Sequence, residues 1–147
     1  MPTRGRTTVR PADPPAREPA PPAWAVDPVD GPGRMASYAQ AVRVPAGSDL
    51  LFVSGQAPQA ADGHVPGTFD EQCRLAWDNL IAVLAAAGMT VRNLVKVTVI
   101  LAGPQHRESC SRIRREVLGD HRPAMLYTFA GLWADSWLLE IEAVAAG

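Results

Sequence analysis

The stretch EQCRLAWDNLIAVLAAAGMTVRNLVKVTVIL, residues 71–101, decides the fold because it joins the clearest helix of the chain to an apolar strand. Thr68 stands three residues ahead of Glu71, and this spacing is typical of the capping box that begins a helix. Gly88 is the residue type that ends one. The β-branched residues of 94–101 predict the strand. At helical spacing, the residues expected to face the core are Cys73, Ala76, Trp77, Leu80, Ile81, Leu84 and Ala87.

Patterns on both sides of this stretch predict five more elements: two strands before the helix, then one helix and two final strands after the central strand. The predicted order is ββαβαββ, an α+β fold with one mixed sheet and both helices on one face. The ranges are 38–44 and 50–56 for the first two strands, 106–118 for the second helix, and 124–129 and 138–144 for the last two strands.

The central strand at 94–101 and the last strand at 138–144 are apolar on both sides. The helices cover one side of the sheet, so the other side also needs a cover. Small domains usually hide such a face in an oligomer. We therefore expect the protein to associate with itself through the open face of the sheet.

Residues 1–34 are predicted to form a tail, separate from a folded domain at 35–147. Residues 1–33 contain nine of the 14 prolines, and four Arg balance four acids there. A segment of this composition cannot bury a core and is expected to be disordered or polyproline-like. It lacks the apolar run of a secretory signal.

Composition argues against several classes of function. The net charge of -1 gives no general attraction to nucleic acid or anionic lipid, and no stretch approaches the 18 apolar residues of a membrane span. Cys73 and Cys110 lie in predicted helices, which favours reduced, buried thiols in a cytoplasmic protein. The three histidines, His64, His106 and His121, lack the spacing of metal ligands, so no metal is expected.

Several segments carry a family resemblance that runs in order, without large gaps, over residues 38–145. They are YAQAVRV followed by LLFVSGQAP, the stretch 71–101, RPAML and LLEIEAVA, of which SGQ (54–56) and EIEAVA are the most specific. In these segments the chain resembles the RidA/YjgF reactive-intermediate deaminase family. The resemblance implies a chorismate-mutase-like fold and a homotrimer with three ligand clefts between subunits. It also implies hydrolysis of small enamines and imines derived from amino acids, without a metal or organic cofactor.

The chemistry implied by the resemblance needs few groups. An imine carbon is already electrophilic, so a positioned water, a carboxyl group that moves protons and donors that hold the substrate are enough. The family uses a strand Arg, in a PAR segment, to clamp the substrate carboxylate through two parallel hydrogen bonds. A Glu on the last strand helps to position the water and to move protons, and a Tyr and a Ser line the cleft.

Carried over by position, the resemblance makes Glu140 the catalytic carboxyl group and Tyr38 and Ser54 cleft residues. Met125 stands where the family has its Arg. Arg122 is a poor replacement because an odd offset along a strand points to the opposite side. The remaining residues predicted to bind substrate are Ser111 in place of an Asn, Tyr127 in place of a small residue or Cys, and Trp137 in the last hairpin.

Structural roles compete with several of these assignments. Met125 could fill a gap between subunits, because Met packs adaptably. Glu140 shares a strand face with Glu142, and either could be an ordinary solvated carboxylate. Trp133 and Trp137 could cap the cleft or pack between subunits. The second helix carries a basic set that resembles a phosphate patch, but interleaved acids favour a solvated face; the set is Arg107, Arg112, Arg114 and Arg115.

The loss of the Arg with retention of Glu140 favours an enzyme with a repurposed intersubunit cleft. Its substrate would be an apolar imine, enamine or related intermediate without a free carboxylate, which it hydrolyses, tautomerises or cyclises, in specialised metabolism. Two alternatives stay open: a trimer that binds a small ligand without turnover, and a 2-imino-acid deaminase with a different carboxylate anchor. A further hypothesis, contact with RNA, is disfavoured by the charge balance.

Overall fold

The computed structural model describes residues 24–28, 30 and 37–147. This part of the chain contains six strands, two α-helices and two short 3-10 helices. The strands are β1 (Trp24–Val26), β2 (Ala41–Arg43), β3 (Leu50–Gln56), β4 (Leu94–Leu101), β5 (Ala124–Phe129) and β6 (Leu139–Ala146). The α-helices are α1 (Phe69–Ala86) and α2 (Arg107–Leu118), and the 3-10 helices are Val91–Asn93 and Pro104–His106.

The main sheet has four strands in the order β3-β6-β4-β5. β4 and β5 run parallel, whereas β6 is antiparallel to both of its neighbours, so the sheet is mixed. Residues of α1 and α2 share one buried core with β4 and β6. The predicted α+β class, with a mixed sheet and two helices on one face, is confirmed.

The first predicted strand and the predicted tail both need correction. Only Ala41–Arg43 of 38–44 is a strand, and it pairs with Trp24–Val26 in a separate two-stranded sheet. A single bridge, Ala39 to Ala124, joins this segment to β5. The backbone groups of β2 pair with those of Trp24–Val26, three apolar residues that lie between prolines. A segment of three residues is too short to show the side-chain alternation by which a strand is recognised in a sequence. The rest of the predicted tail, 1–23, 29 and 31–34, lies outside the described residues.

The start and stop signals of α1 act as predicted. The Thr68 hydroxyl oxygen accepts a hydrogen bond from the Glu71 backbone N–H at 3.4 Å, and the hydroxyl donates to the Glu71 carboxylate at 2.6 Å. Gly88 follows the last helical turn with φ of +71°, a conformation that favours glycine. The inner stripe is shifted from the prediction: Ile81 is 37% exposed and Ala87 is also exposed, whereas Phe69 and Gln72 are buried.

The register of the sheet fixes which side chains face the helices. Val97 of β4 lies opposite Met125 of β5 and Ala143 of β6, and this row faces the core. Side chains alternate along a strand, so the next row faces away from the helices. On that open face Phe52 is 74% exposed, and Leu50 and Leu126 are half exposed. The open face therefore carries the uncovered apolar side chains that the two-sided strands predict.

Candidate functional site

Glu140 lies against an irregularity at the end of β3. The pairing of β3 with β6 shifts register between Val53 and Gln56, where one strand has an extra residue. A Cβ atom on Gly55 would overlap the Glu140 carboxylate, so this side chain would have to move if position 55 were not glycine. The half-buried Glu140 carboxylate forms no hydrogen bond or ion pair with any residue that the structure describes. Its oxygens are available to an external partner.

The other predicted polar residues lie at scattered positions. Ser54 is exposed at the same irregularity, and its carbonyl accepts from the side-chain amide of Gln56 at 3.0 Å. Tyr38 is half-buried beside β5, and its carbonyl accepts from Arg122 at 2.7 Å. Ser111 is half-buried on α2. Neither of two depressions on the described chain, one beside Arg122 and one beside Trp137, is lined by Ser54, Tyr38 or Ser111.

Met125 and Tyr127 lie on the opposite side of the sheet from Glu140. Met125 and Tyr127 are in register with buried residues of β4 and point toward the helices. Glu140 is in register with Ile100, which belongs to the alternate row. The predicted cleft with all three residues is therefore not assembled within one protomer. A site that uses Glu140 together with Met125 or Tyr127 needs two copies of the chain.

A buried guanidinium lies beside Met125 and Tyr127. Arg114 of α2 is only 3% exposed. Its Nη1 is 3.5 Å from the sulfur of Met125, and its Nη2 donates to the Ser37 hydroxyl at 2.6 Å. The guanidinium carbon is 5.6 Å from the centre of the Tyr127 ring. Arg114 therefore brings a cation from α2 beside Met125 and Tyr127, where the sequence led us to expect only an apolar wall.

Arg114 has no acidic partner among the described residues. Its Nε is buried without a hydrogen-bond acceptor, and the buried Tyr127 hydroxyl is also without a partner. A buried charge is costly to maintain unless an opposite charge or sufficient hydrogen bonds compensate it. Two unsatisfied donor groups therefore lie close together on the helix side of β5.

Cys110 lies one helical turn before Arg114 and on the same side of α2. Both cysteines of the chain are free and buried, as predicted. The hydrogen bond with Cys73 and the charge of Arg114 lower the pKa of Cys110, whereas the same hydrogen bond and burial raise the pKa of Cys73. Burial raises the pKa of Tyr127. The raised pKa of Tyr127 means that it keeps its proton and can act as a donor.

The other arginines of α2 lie on a solvated face, as predicted. Arg112 bonds to Asp70 and, at 3.1 Å, to Glu116, which also pairs with Arg74 at 2.7 Å. Arg107 and Arg115 are exposed, and the Arg107 guanidinium lies 5.3 Å above the Phe129 ring. Arg114 departs from this pattern because it follows Cys110 by four residues and so shares its inward face. The spacing of four residues between Cys110 and Arg114 was therefore a sequence signal that Arg114 faces inward.

Arg122 makes a different contact from Arg114. Its Nη1 pairs with Asp27 at 3.0 Å, and both side chains are largely buried. Asp27 in turn accepts from the Gln40 backbone N–H at 3.0 Å. Arg122 thus ties the segment around β1 to the chain near Tyr38.

The two tryptophans of the last hairpin differ in their surroundings. Trp133 is 92% exposed. Trp137 lines an open depression of about 450 Å³ together with Phe129 and Leu132. None of the other predicted site residues lines this depression. The assignment of Trp137 to the same cleft as Glu140 therefore remains a prediction.

Residues 24–28, 30 and 37–147 contain neither a helix suited to a membrane nor a cluster of metal ligands. Neither α-helix there has the length and apolar content needed to cross a bilayer. No three His, Cys, Asp or Glu side chains in these ranges are placed to hold a metal ion together.

Residues 30–147 match the family model described as "Endoribonuclease L-PSP". The chain belongs to this family, also called RidA/YjgF. Among its RidA/YjgF relatives is the mitochondrial protein mmf2 of Schizosaccharomyces pombe, 38% identical over 112 residues, which are 74% of this chain and 86% of mmf2. The RutC family protein YjgH of Escherichia coli is 36% identical over 110 residues, 74% of this chain and 81% of YjgH.

Solved structures of RidA/YjgF proteins have the same fold. The crystal structure of E. coli TdcF with bound serine is 26% identical, with a TM-score of 0.64 over 84% of this chain and 98% of TdcF. The TdcF sequence is named as a reactive intermediate deaminase. The protein is therefore related to reactive intermediate deaminases.

Proposed function

We propose that the protein hydrolyses small imines or enamines derived from amino acids, in clefts between the subunits of a homotrimer. Membership of the RidA/YjgF family and the relation to reactive intermediate deaminases support this proposal. The expectations of a chorismate-mutase-like arrangement, a cytoplasmic location and no cofactor belong to the same proposal.

The unpartnered carboxylate of Glu140 is the observation that carries the reaction. A general base must be able to reach a water, and a carboxylate already bonded to a neighbour is less able to do so. Gly55 leaves space for the Glu140 side chain, and no described residue competes for its oxygens. Glu140 would take a proton from the water that attacks the imine carbon and return it to the departing nitrogen.

The two faces of the sheet support a site between subunits. Glu140 is on the open face, where Phe52 and Leu126 also expose apolar surface. Arg114 and Tyr127 are on the helix side, next to the edge strand β5. If a second copy covers the open face with its β5 edge, Glu140 of one subunit meets Tyr127 of the next.

The presence of Arg114 changes which substrate we favour. An apolar substrate and a place in specialised metabolism were expected because Met125 left the cleft without a cation. With a guanidinium beside Met125, that reason no longer holds. The alternative of an imino-acid deaminase with a different carboxylate anchor is now better supported.

The test compares Glu140→Gln with Glu142→Gln, since both residues lie on β6 and face the same side. Release of pyruvate from 2-iminopropionate, made in situ from alanine by an amino-acid oxidase, is measured for each. We expect Glu140→Gln to lose about a hundredfold or more in kcat, the usual scale of acid–base catalysis. Glu142→Gln should stay close to the parent protein. Equal rates for all three proteins would contradict the proposal.

A trimer that binds a ligand without turnover is the second candidate. The bound serine in TdcF shows that a relative holds a small amino acid. Under this function the parent protein would not accelerate imine hydrolysis, and Glu140→Gln would still bind the same ligand. Imine turnover by the parent protein separates the two candidates, and calorimetry with serine on both proteins shows whether the ligand still binds.

A further inference from the structure

We infer that Arg114 is the anion-binding residue of this chain and that it holds a substrate carboxylate from the helix side of β5. This inference rests on the proposed function and extends it to the substrate class. The Arg114 guanidinium is buried and has no acidic partner in the described chain. A native fold rarely buries a charge in this way without a role for it.

The bonds that Arg114 does make are weak substitutes for an anion. A thioether sulfur is a weak acceptor, and a serine hydroxyl is neutral. The Nε hydrogen has no acceptor. A carboxylate could bond to Nε and one Nη together, which is the two-point geometry that guanidinium favours. The Ser37 hydroxyl would give way, because a charged acceptor forms the stronger bond.

Tyr127 supplies the second element of the site. Its hydroxyl is buried and makes no hydrogen bond of regular geometry in the described chain, and its ring centre is 5.6 Å from the guanidinium carbon. Burial raises the pKa of Tyr127, so the hydroxyl stays protonated and can donate to an anion. One cation and one neutral donor match a singly charged carboxylate better than a doubly charged phosphate. Both unsatisfied donors would then be satisfied by one ligand group.

Cys110 offers the main competing explanation. Its thiolate, one turn away, could act as the counter-ion of Arg114 and make the arginine purely structural. In that case a change of Arg114 would alter the titration of Cys110 and would leave ligand preference unchanged. A comparison of pyruvate with pyruvamide, two ligands of nearly the same shape, distinguishes an anion-binding Arg114 from a purely structural one.

The full-length protein is titrated with pyruvate and with pyruvamide, which differ in the charge of one group. We expect the parent protein to prefer pyruvate by about tenfold to a hundredfold, the scale of a charge-assisted hydrogen bond. Arg114→Met should abolish this preference. Arg115→Met, an exposed neighbour on the same helix, is the matched control and should retain it. Equal binding of both ligands by the parent protein, or no binding of either, would overturn the inference.

A double variant protects the test against simple misfolding. Arg114→Met with Met125→Arg exchanges the two side chains across the same 3.5 Å contact and keeps the composition of the site. We expect it to regain a preference for pyruvate, whereas a structural role would give no recovery. If Arg114→Met melts like the parent protein and still prefers pyruvate, Arg114 is not the anchor.

The kinetics separate the inference from the proposed function. With 2-iminopropionate, Arg114→Met should raise KM by about tenfold or more while kcat changes less, because binding is lost and Glu140 is retained. A parent protein that prefers pyruvate but hydrolyses no imine would contradict the proposed function and support the anchor. A parent protein that hydrolyses the imine, with an unchanged KM in Arg114→Met, would support the proposed function and contradict the assignment of Arg114 as the anchor.

Discussion

Arg114 of α2 and Met125 of β5 are in contact, 3.5 Å from guanidinium nitrogen to sulfur, beneath the edge strand of the main sheet. In the family resemblance, the cation of this site comes from the strand position that Met125 occupies. Here a helix delivers it from the opposite direction. Under the proposed function, the residue that carries the positive charge has changed from the strand to the helix.

Gly55 should be intolerant of substitution because of Glu140. Gly55→Ala places a Cβ in the space of the Glu140 carboxylate, so we expect this flexible side chain to turn away, with little loss of unfolding free energy but with reduced turnover. Gly67→Ala is the control, since a Cβ there meets nothing within 4 Å. Imine turnover and urea unfolding are measured for both variants. Unchanged turnover of Gly55→Ala would show that the position of Glu140 beside Gly55 is not needed for the reaction.

Tyr127→Phe should affect stability and binding in opposite directions. The hydroxyl is buried without a partner, so its removal is expected to raise the unfolding free energy by about 1 kcal/mol. The same change removes a donor to the ligand and should weaken pyruvate binding severalfold. Thermal melts and calorimetry on one preparation test both effects. A variant that is less stable than the parent would indicate that the hydroxyl has a partner within the fold.

Ser37→Ala should strengthen binding of a carboxylate. The Ser37 hydroxyl accepts a hydrogen bond from Nη2 of Arg114, and a carboxylate ligand must displace this hydroxyl. Without this competitor we expect Kd for pyruvate to fall severalfold, with pyruvamide little changed. Ser48→Ala, in the turn before β3, serves as a control. Weaker pyruvate binding by Ser37→Ala would mean that this hydroxyl helps to hold the ligand.

Mixed trimers test whether Glu140 and Arg114 act across a subunit boundary. At substrate concentrations below the parent KM, the Glu140→Gln and Arg114→Met proteins are each expected to be poorly active. The two are unfolded and refolded together in equal amounts, and activity is measured at such a concentration. If each cleft takes one residue from each neighbour, about a quarter of the clefts in random trimers regain both groups. Recovered activity should approach that share of the parent value. If both residues act from one subunit, co-refolding recovers nothing.

A charge on the open face should prevent assembly. Phe52 is 74% exposed there, and Phe52→Asp would bury an unpaired carboxylate in any interface that covers the face. We expect the parent protein to sediment as a trimer and the variant as a monomer. Trp133→Ser removes a more exposed aromatic side chain from the last hairpin and should remain trimeric. A monomeric parent protein would contradict the proposed assembly.

Local patterns in the sequence predicted most of the secondary structure. The ranges of β3, β4 and β5 coincide with the predicted strands, and α1 begins at its predicted cap. These features depend on neighbours a few residues apart, through side-chain alternation, capping and turn chemistry. The strand β1 escaped prediction because its three residues have no period of their own.

The site depended on contacts that no local pattern contains. The sequence determined that Glu140 and Met125 lie on different strands, but the register with Ile100 and Val97 placed them on opposite faces. It also determined that α2 is basic, while the packing of α2 against β5 decided that Arg114 alone among its arginines is buried. Charge is a property of the residue, but burial and partnership depend on what the rest of the fold places around it.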